Sequence, residues 1–341
     1  MDKKTTQLYS FHKSQEAKFI DFGDWSMPFS YEGTLKEHDI VRHSSGFFDV
    51  SHMGRLEIQY SELEKISKLI CSEIIDIENN KALYSIFINE NGYALDDVIF
   101  WKFEDKLILI PNASNLEKIK KHLINNKVNF VDRSPDTVLI AVQGPETINL
   151  LKDNFDIPEK FCTNSSENYL YARTGYTGED GLEIMTDNEN AIALVNFLID
   201  QGSKPCGLGS RDTLRLEASL PLYGYELSDN ITPVEASLSW TITNKSDYLG
   251  SDVINEQLSS KSHKILKKFT IDSKKIARTD TVGIAGETKG IVTSGNFSPV
   301  LNKSIGFIMF ENKPSLNLIE FDIRGNLIAV SYTHLTLPTI E

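Results

Sequence analysis

Along this chain the spacing of apolar residues switches repeatedly between period two and helical period, which predicts alternating strands and helices. Near the start, Gly23 and Pro28 exclude a long helix across Asp21–Phe29. Phe47-Phe48-Asp49-Val50-Ser51 leads into Arg55-Leu56-Glu57-Ile58-Gln59-Tyr60, whose alternation predicts a half-buried strand. Ser61 and Glu64 form a capping box, followed by Leu63, Ile66, Leu69 and Ile70 at helical spacing. Strands are predicted at Leu83–Ile88, Tyr93–Phe103 and Leu107–Ile110. Asn89-Glu90-Asn91-Gly92 joins the first two, its Asn-Gly pair supplying positive φ angles. A second capping box, Ser114 with Glu117, opens a helix carrying Leu116, Ile119, Leu123 and Ile124 on one face. Residues 52–136 thus read as a compact α+β unit.

Val138-Leu139-Ile140-Ala141-Val142 predicts a buried strand, and Tyr169–Thr174 and Leu182–Met185 predict two more flanking a glycine-rich turn. Asn190–Gln201 predicts an amphipathic helix with Ile192, Val195 and Ile199 on one face, stopped by Gly202. Residues 247–268 are polar and mark a boundary. Beyond them Lys268–Ile271, Gly290–Ser294, Ile305–Phe310 and Leu318–Ile323 predict short strands of a small barrel or sandwich.

Composition narrows the function. The 341 residues carry a formal charge of −13, which argues against generic nucleic-acid binding, because polyphosphate affinity needs cations. No apolar stretch approaches the ~20 residues of a membrane span, and Met1–Gln7 is polar. Three scattered cysteines, Cys71, Cys162 and Cys206, offer neither a disulfide framework nor metal-ligand spacing. A reducing, cytoplasmic setting is expected.

Three windows could carry chemistry. Asp96-Asp97 interrupts an apolar strand, so one carboxylate faces a core or cleft while its neighbour faces the other way. Solvated acids on an edge strand are the alternative. Arg173–Glu183 gathers three glycines, a phenol, a guanidinium and carboxylates, and a carboxylate suits the paired N–H donors of a pterin or purine edge. An ordinary hairpin with acidic turn residues is equally open. Cys206–Ala218 places Arg211 where a loop enters a helix, a natural grip for a carboxylate, although Arg211 or Arg215 could simply pair with Asp212 or Glu217. The six-residue glycine spacing of a dinucleotide loop is missing. Ser51-His52-Met53 reads as a packed corner or a catalytic histidine, and no local motif marks Cys162 or Cys206 as a nucleophile.

Taken in order, these windows resemble the aminomethyltransferase (T-protein) family of the glycine cleavage system. The likeness rests on Asp21-Phe22 with Trp25 and Pro28, Phe48–Met53, Ala82–Ser85, Leu95-Asp96-Asp97, Pro111-Asn112-Ala113 and Val142–Pro145. It continues through Gly175–Glu183, Gly207–Ala218, Leu222-Tyr223-Gly224, Ser239-Trp240 and Val292–Pro299. The resemblance implies an α+β, three-domain cloverleaf with ferredoxin-like α+β units and a C-terminal β-barrel or jelly-roll-like domain. Residues 1–51 plus 137–246 would form a discontinuous folate-binding domain, 52–136 an inserted α+β domain and 247–330 the β-rich domain.

By the same likeness the chain moves the aminomethyl carbon from the lipoyl arm of H-protein to tetrahydrofolate. The products are 5,10-methylenetetrahydrofolate, ammonia and the dihydrolipoyl carrier. Asp96 would be the catalytic acid, Glu183 would hold the pterin edge, Arg211 the p-aminobenzoyl-glutamate end, and Tyr84, Asn112 and Tyr176 would line the cleft. Tetrahydrofolate would be the co-substrate and the lipoyl group would come with the partner; no metal, membrane or nucleic acid is implied. The alternative is a folate-binding paralogue, either a tetrahydrofolate-dependent demethylase or a non-catalytic scaffold. One departure stands out: Ser331–Glu341 does not follow the family and reads as a non-native tail.

Overall fold

The computed structural model describes residues 3–244, 247–260, 262–316, 318–323 and 326–331. The chain divides into two compact units: Met1–Ser67, Glu73–Ser85 and Asp97–Asp212 form one, and Lys68–Ser72, Ile86–Asp96 and the described part of Thr213–Glu341 form the other. It is a mixed α+β protein with several sheets.

The largest sheet of the first unit runs in the order Thr163–Ser165, Leu170–Ala172, Gly181–Asp187, Thr137–Gln143, Gly46–Asp49, Lys204–Pro205. All pairings are antiparallel except that of the final strand with Gly46–Asp49. Thr137–Gln143 lies at its centre, and its alternate residues Val138, Ile140 and Val142 share one core with Phe47, Leu182 and Ile184. The helix Ala191–Asp200 contributes Ala191, Leu194, Val195 and Leu198 to that core, the leucines and valine each adding about 1.5–3 kcal/mol of transfer free energy. Of the face expected from sequence, Val195 is fully buried, whereas Ile192 is 45% exposed and Ile199 only packs at the margin. This helix is apolar almost all round, so its periodicity alone could not fix the buried side. Gly202 ends it with a φ of +94°, as anticipated.

A five-stranded sheet follows the order Lys81–Ile88, Ala94–Lys102, Lys106–Ile110, Leu56–Gln59, Val131–Asp132. The boundary between the two units cuts it between Ser85 and Ile86 and again between Asp96 and Asp97. In the turn between its first two strands only Gly92 has positive φ, at +76°; Asn91 does not need it, because the Asn89 side chain accepts the N–H groups of Asn91 and Tyr93, both at 3.0 Å. Neither capping box opens its helix. Three-residue 3₁₀ turns, Tyr60–Glu62 and Ala113–Asn115, precede the helices Leu63–Ser67 and Leu116–Asn125. Leu69 and Ile70 therefore lie past the end of a helix expected to hold them.

In the second unit the sheet order is Ile265–Ile271, Lys303–Phe310, Thr288–Ser298, Val282–Ala285, Leu318–Ile323, Asn326–Ser331. Its first and last strands come back into contact, so the sheet curls into a half-barrel around Phe269, Phe310, Ile319 and Phe321. Val282–Ala285 went unpredicted, and the polar stretch read as a boundary contains the helix Ser251–Ser260. That helix buries few apolar side chains, Ile254 among them, which left little periodic signal. Residues 332–341, which carry most of the expected non-native tail, lie outside the described residues.

Candidate active site

Strand alternation separates the two neighbouring acids. Along Ala94–Lys102 the positions Ala94, Asp96, Val98 and Phe100 are buried while Leu95, Asp97 and Ile99 are half-buried. Asp96 is 0% exposed. Asp97 is the more exposed of the two acids. Its Oδ2 accepts the Tyr84 hydroxyl at 3.1 Å, its Oδ1 accepts the Asn112 amide at 2.9 Å, and Asn112 also donates to the Asp97 carbonyl at 3.0 Å. Tyr84, Asp97 and Asn112 come from two neighbouring strands and the residue just past a third, and they meet within the first unit. Burial pushes the Asp97 carboxyl up to about 6, against the lowering influence of the Tyr84 and Asn112 hydrogen bonds.

The remaining predicted residues form a second group in the same unit. Arg211 sits in the first turn of the helix Leu208–Glu217 rather than ahead of it. Its guanidinium lies 4.9 Å from the Tyr176 ring centre and 5.9 Å from that of Phe48, a stacked cation geometry. Its Nη1 is sealed from solvent and has no hydrogen-bond partner among the described residues. Burial lowers the Arg211 pKa, while Glu183 and Tyr176 hold it up. Glu183 is 5% exposed and accepts the Thr174 hydroxyl at 2.6 Å. An unspent guanidinium nitrogen, a buried carboxylate and an aromatic face suit a flat heterocycle that has N–H donors at one edge and acceptors at the other.

Sequence reasoning undervalued His52 here. It packs edge-on against Phe22, with ring centres 5.6 Å apart, and its Nδ1 is buried without a hydrogen-bond partner among the described residues. Burial lowers its pKa to about 4, Asp49 opposes this, and Arg211 and Arg55 add to the lowering, so the imidazole is neutral near pH 7. The packed-corner reading is right about its surroundings, yet one ring nitrogen remains unsatisfied.

The glycine-rich turn owes its shape to internal bonds more than to a ligand. A Cβ on Gly175 would collide with the Gln143 side chain, whose Nε2 donates to the Thr174 carbonyl at 3.1 Å and whose Oε1 accepts the Thr177 hydroxyl at 3.0 Å. Arg173 grips Asp180 through two parallel bonds of 2.9 and 2.5 Å, and Arg42 binds Glu179 at 2.7 Å. Those pairs hold the turn, and Tyr176 and Glu183 project from the frame. Arg215 bonds Glu226 at 3.1 Å.

Glu37, which no motif signalled, secures the helix of Arg211. Fully buried, it accepts the N–H groups of Tyr31, Glu32 and Gly33 at 2.7, 3.0 and 3.0 Å on one oxygen, and that of Gly207 at 2.8 Å on the other. Four charge-assisted bonds thereby tie a loop to the residue preceding the helix.

The raised Asp97 pKa gives a pH prediction. Folding favours the protonated form, so ionisation of Asp97 costs stability above about pH 6 and nothing below its unfolded value. Chemistry needing the carboxylate should therefore lose about tenfold per pH unit below roughly 6. A kcat/KM profile whose acid limb falls near 4 instead would show that Asp97 is not the titrating group.

Comparison with known proteins places the chain. The GCVT N-terminal domain matches residues 8–246. An aminomethyltransferase of Alkaliphilus metalliredigens is 37% identical over 334 residues, covering 92% of this chain and 90% of the relative. One of Thermosipho melanesiensis is 38% identical over 342 residues, covering 95% and 94%. The crystal structure of glycine cleavage system aminomethyltransferase T from Bartonella henselae superposes with a TM-score of 0.91 at 29% identity, covering 98% of this chain and 97% of that one.

Proposed function

This chain belongs to the glycine cleavage T-protein family of aminomethyltransferases, and from that premise we propose that Asp97 and the Arg211 group carry its folate-dependent chemistry. The activity is aminomethyl transfer. Tetrahydrofolate is the acceptor and lipoylated H-protein of the glycine cleavage system the donor partner, and when bound the folate supplies the nitrogens that take up the one-carbon unit. Residues 1–51 with 137–246, residues 52–136 and residues 247–330 are kept as the three domains of this reading.

Within it each side chain has a task. Glu183 accepts from the paired N–H donors of the pterin edge, a role its buried, acceptor-only carboxylate fits. Arg211 directs its unpartnered Nη1 at the p-aminobenzoyl-glutamate portion while Tyr176 supports its plane. Tyr84 and Asn112 orient Asp97 by donating to its two oxygens. Asp97 then stabilises positive charge on the carbon being moved and handles a proton next to the reacting nitrogens, the task expected of Asp96. A carboxyl near 6 suits this work, being mostly ionised at pH 7 yet basic enough to take a proton. Positioned acid–base help of this kind is worth about 10²–10⁴ in rate.

The carrier's docking surface has a weaker lead. Lys118, Lys120 and Lys121 lie on one short stretch of helix, but Lys120 already binds Glu117 at 2.9 Å and Asp132 at 3.1 Å. Among the described residues no helix is long and apolar enough to cross a membrane.

The observation carrying the proposal is the Tyr84–Asp97–Asn112 cluster, with its half-buried, high-pKa carboxylate. Turnover with aminomethyl-loaded, lipoylated H-protein and tetrahydrofolate tests it. Stoichiometric ammonia and methylenetetrahydrofolate are expected. Tight folate binding without ammonia release would favour a scaffold, and folate-dependent loss of methyl groups from an N-methyl substrate would favour a demethylase.

A further inference from the structure

The three cysteines differ sharply in their surroundings. Cys71 and Cys206 are 0% and 1% exposed, and burial raises both thiols, that of Cys206 well above its ordinary value. Protonated and shielded, they are poor nucleophiles. Cys162 has a cation beside it: the Lys81 Nζ lies 3.4 Å from its Sγ. The two residues are 81 positions apart, which is why no local motif revealed the pair.

Backbone pairing imposes this contact. Lys81 and Cys162 face each other in an antiparallel bridge, with the Ala82 N–H donating to the Phe161 carbonyl at 2.8 Å and the Thr163 N–H to the Asn80 carbonyl at 2.9 Å. The lysine is thus delivered to the sulfur by a strand start and is no wandering surface side chain. Glu78 approaches the same ammonium at 3.7 Å. The neighbouring Phe161 is 68% exposed and held at a φ of +59°. Cys162 itself is 9% exposed, the most of the three cysteines.

We propose that Lys81 and Cys162 form an oxidative modification site, at which hydrogen peroxide is reduced and the two side chains become covalently joined. The Cys162 thiolate attacks one peroxide oxygen; the O–O bond breaks, leaving a sulfenic acid and hydroxide. The Lys81 nitrogen then attacks the sulfur, the S–O bond breaks and water departs. Protons released from the ammonium neutralise the hydroxide and complete that water. Ammonium, thiolate and one peroxide thus give an S–N link and two waters; sulfur loses two electrons and peroxide gains them. Small thiols reverse the link by attacking the sulfur.

The test uses the full chain with residue-level mass spectrometry. Iodoacetamide should alkylate Cys162 at least about tenfold faster than Cys71 or Cys206, and Lys81→Met should slow Cys162 by about tenfold. Brief hydrogen peroxide followed by non-reducing digestion should yield a crosslinked pair of peptides, lighter by two hydrogens than their sum and split by dithiothreitol. A link that retains one oxygen joins the same two residues and also supports the site. Lys81→Arg should keep the alkylation rate but fail to crosslink, which separates the cation's role from the nitrogen's. Circular dichroism of each variant controls for folding. Equal reactivity of the three cysteines, or oxidation of Cys162 to the same uncrosslinked products in wild type and Lys81→Met, would overturn the proposal.

Discussion

Replacing Asp97 with Asn should lower kcat by about 10²–10⁴ while leaving the equilibrium affinity for tetrahydrofolate within a few-fold of wild type. The shape is kept, and the Asn oxygen can still accept from Tyr84, but the negative charge and the titrating proton are gone. The neighbouring substitution, Asp96→Asn, makes the contrast. Asp96 is fully buried, so its replacement should act on stability, by about 1–3 kcal/mol, with kcat close to wild type in the folded fraction. Rapid-quench turnover, folate titration and melting temperature on the two variants separate the cases. Collapse of turnover in Asp96→Asn at unchanged melting temperature, with Asp97→Asn active, would reverse the assignment.

Arg211→Met should have the second-largest effect, and on a different constant. Its Nη1 is buried and unpaired in the free protein, so a ligand acceptor placed there completes a hydrogen bond to a charged group, worth about 1.5–3 kcal/mol. Losing it should weaken folate binding by roughly 10–150-fold, with kcat at saturating folate changing far less. Methionine keeps much of the apolar stem that lies along Tyr176 and Phe48, which limits the structural cost. A fall in kcat with an unaltered folate Kd would remove Arg211 from the binding role.

Much of the architecture was legible in residue order. The meander around Asp96-Asp97, the buried strand Thr137–Gln143 and the stop at Gly202 all follow from local periodicity and turn chemistry. The Ala191–Asp200 helix shows where periodicity fails, because a segment apolar on every side offers no phase. Choosing between Asp96 and Asp97 was beyond the sequence for a related reason: alternation requires the two to face opposite ways but does not say which way faces the core. Tyr84 and Asn112 reach Asp97 only through strand pairing, so no local motif joins the three. The tie from Glu37 to Gly207 and the Lys81–Cys162 pair were invisible because they join residues 170 and 81 positions apart.

The most direct measurement is a crystal structure with reduced folate bound. The account predicts an Asp97 carboxylate oxygen within hydrogen-bonding distance of a reacting nitrogen of the folate, with Glu183 on the pterin edge and Arg211 Nη1 newly paired. A folate seated away from all three, leaving Asp97 bonded only to Tyr84 and Asn112, would contradict it.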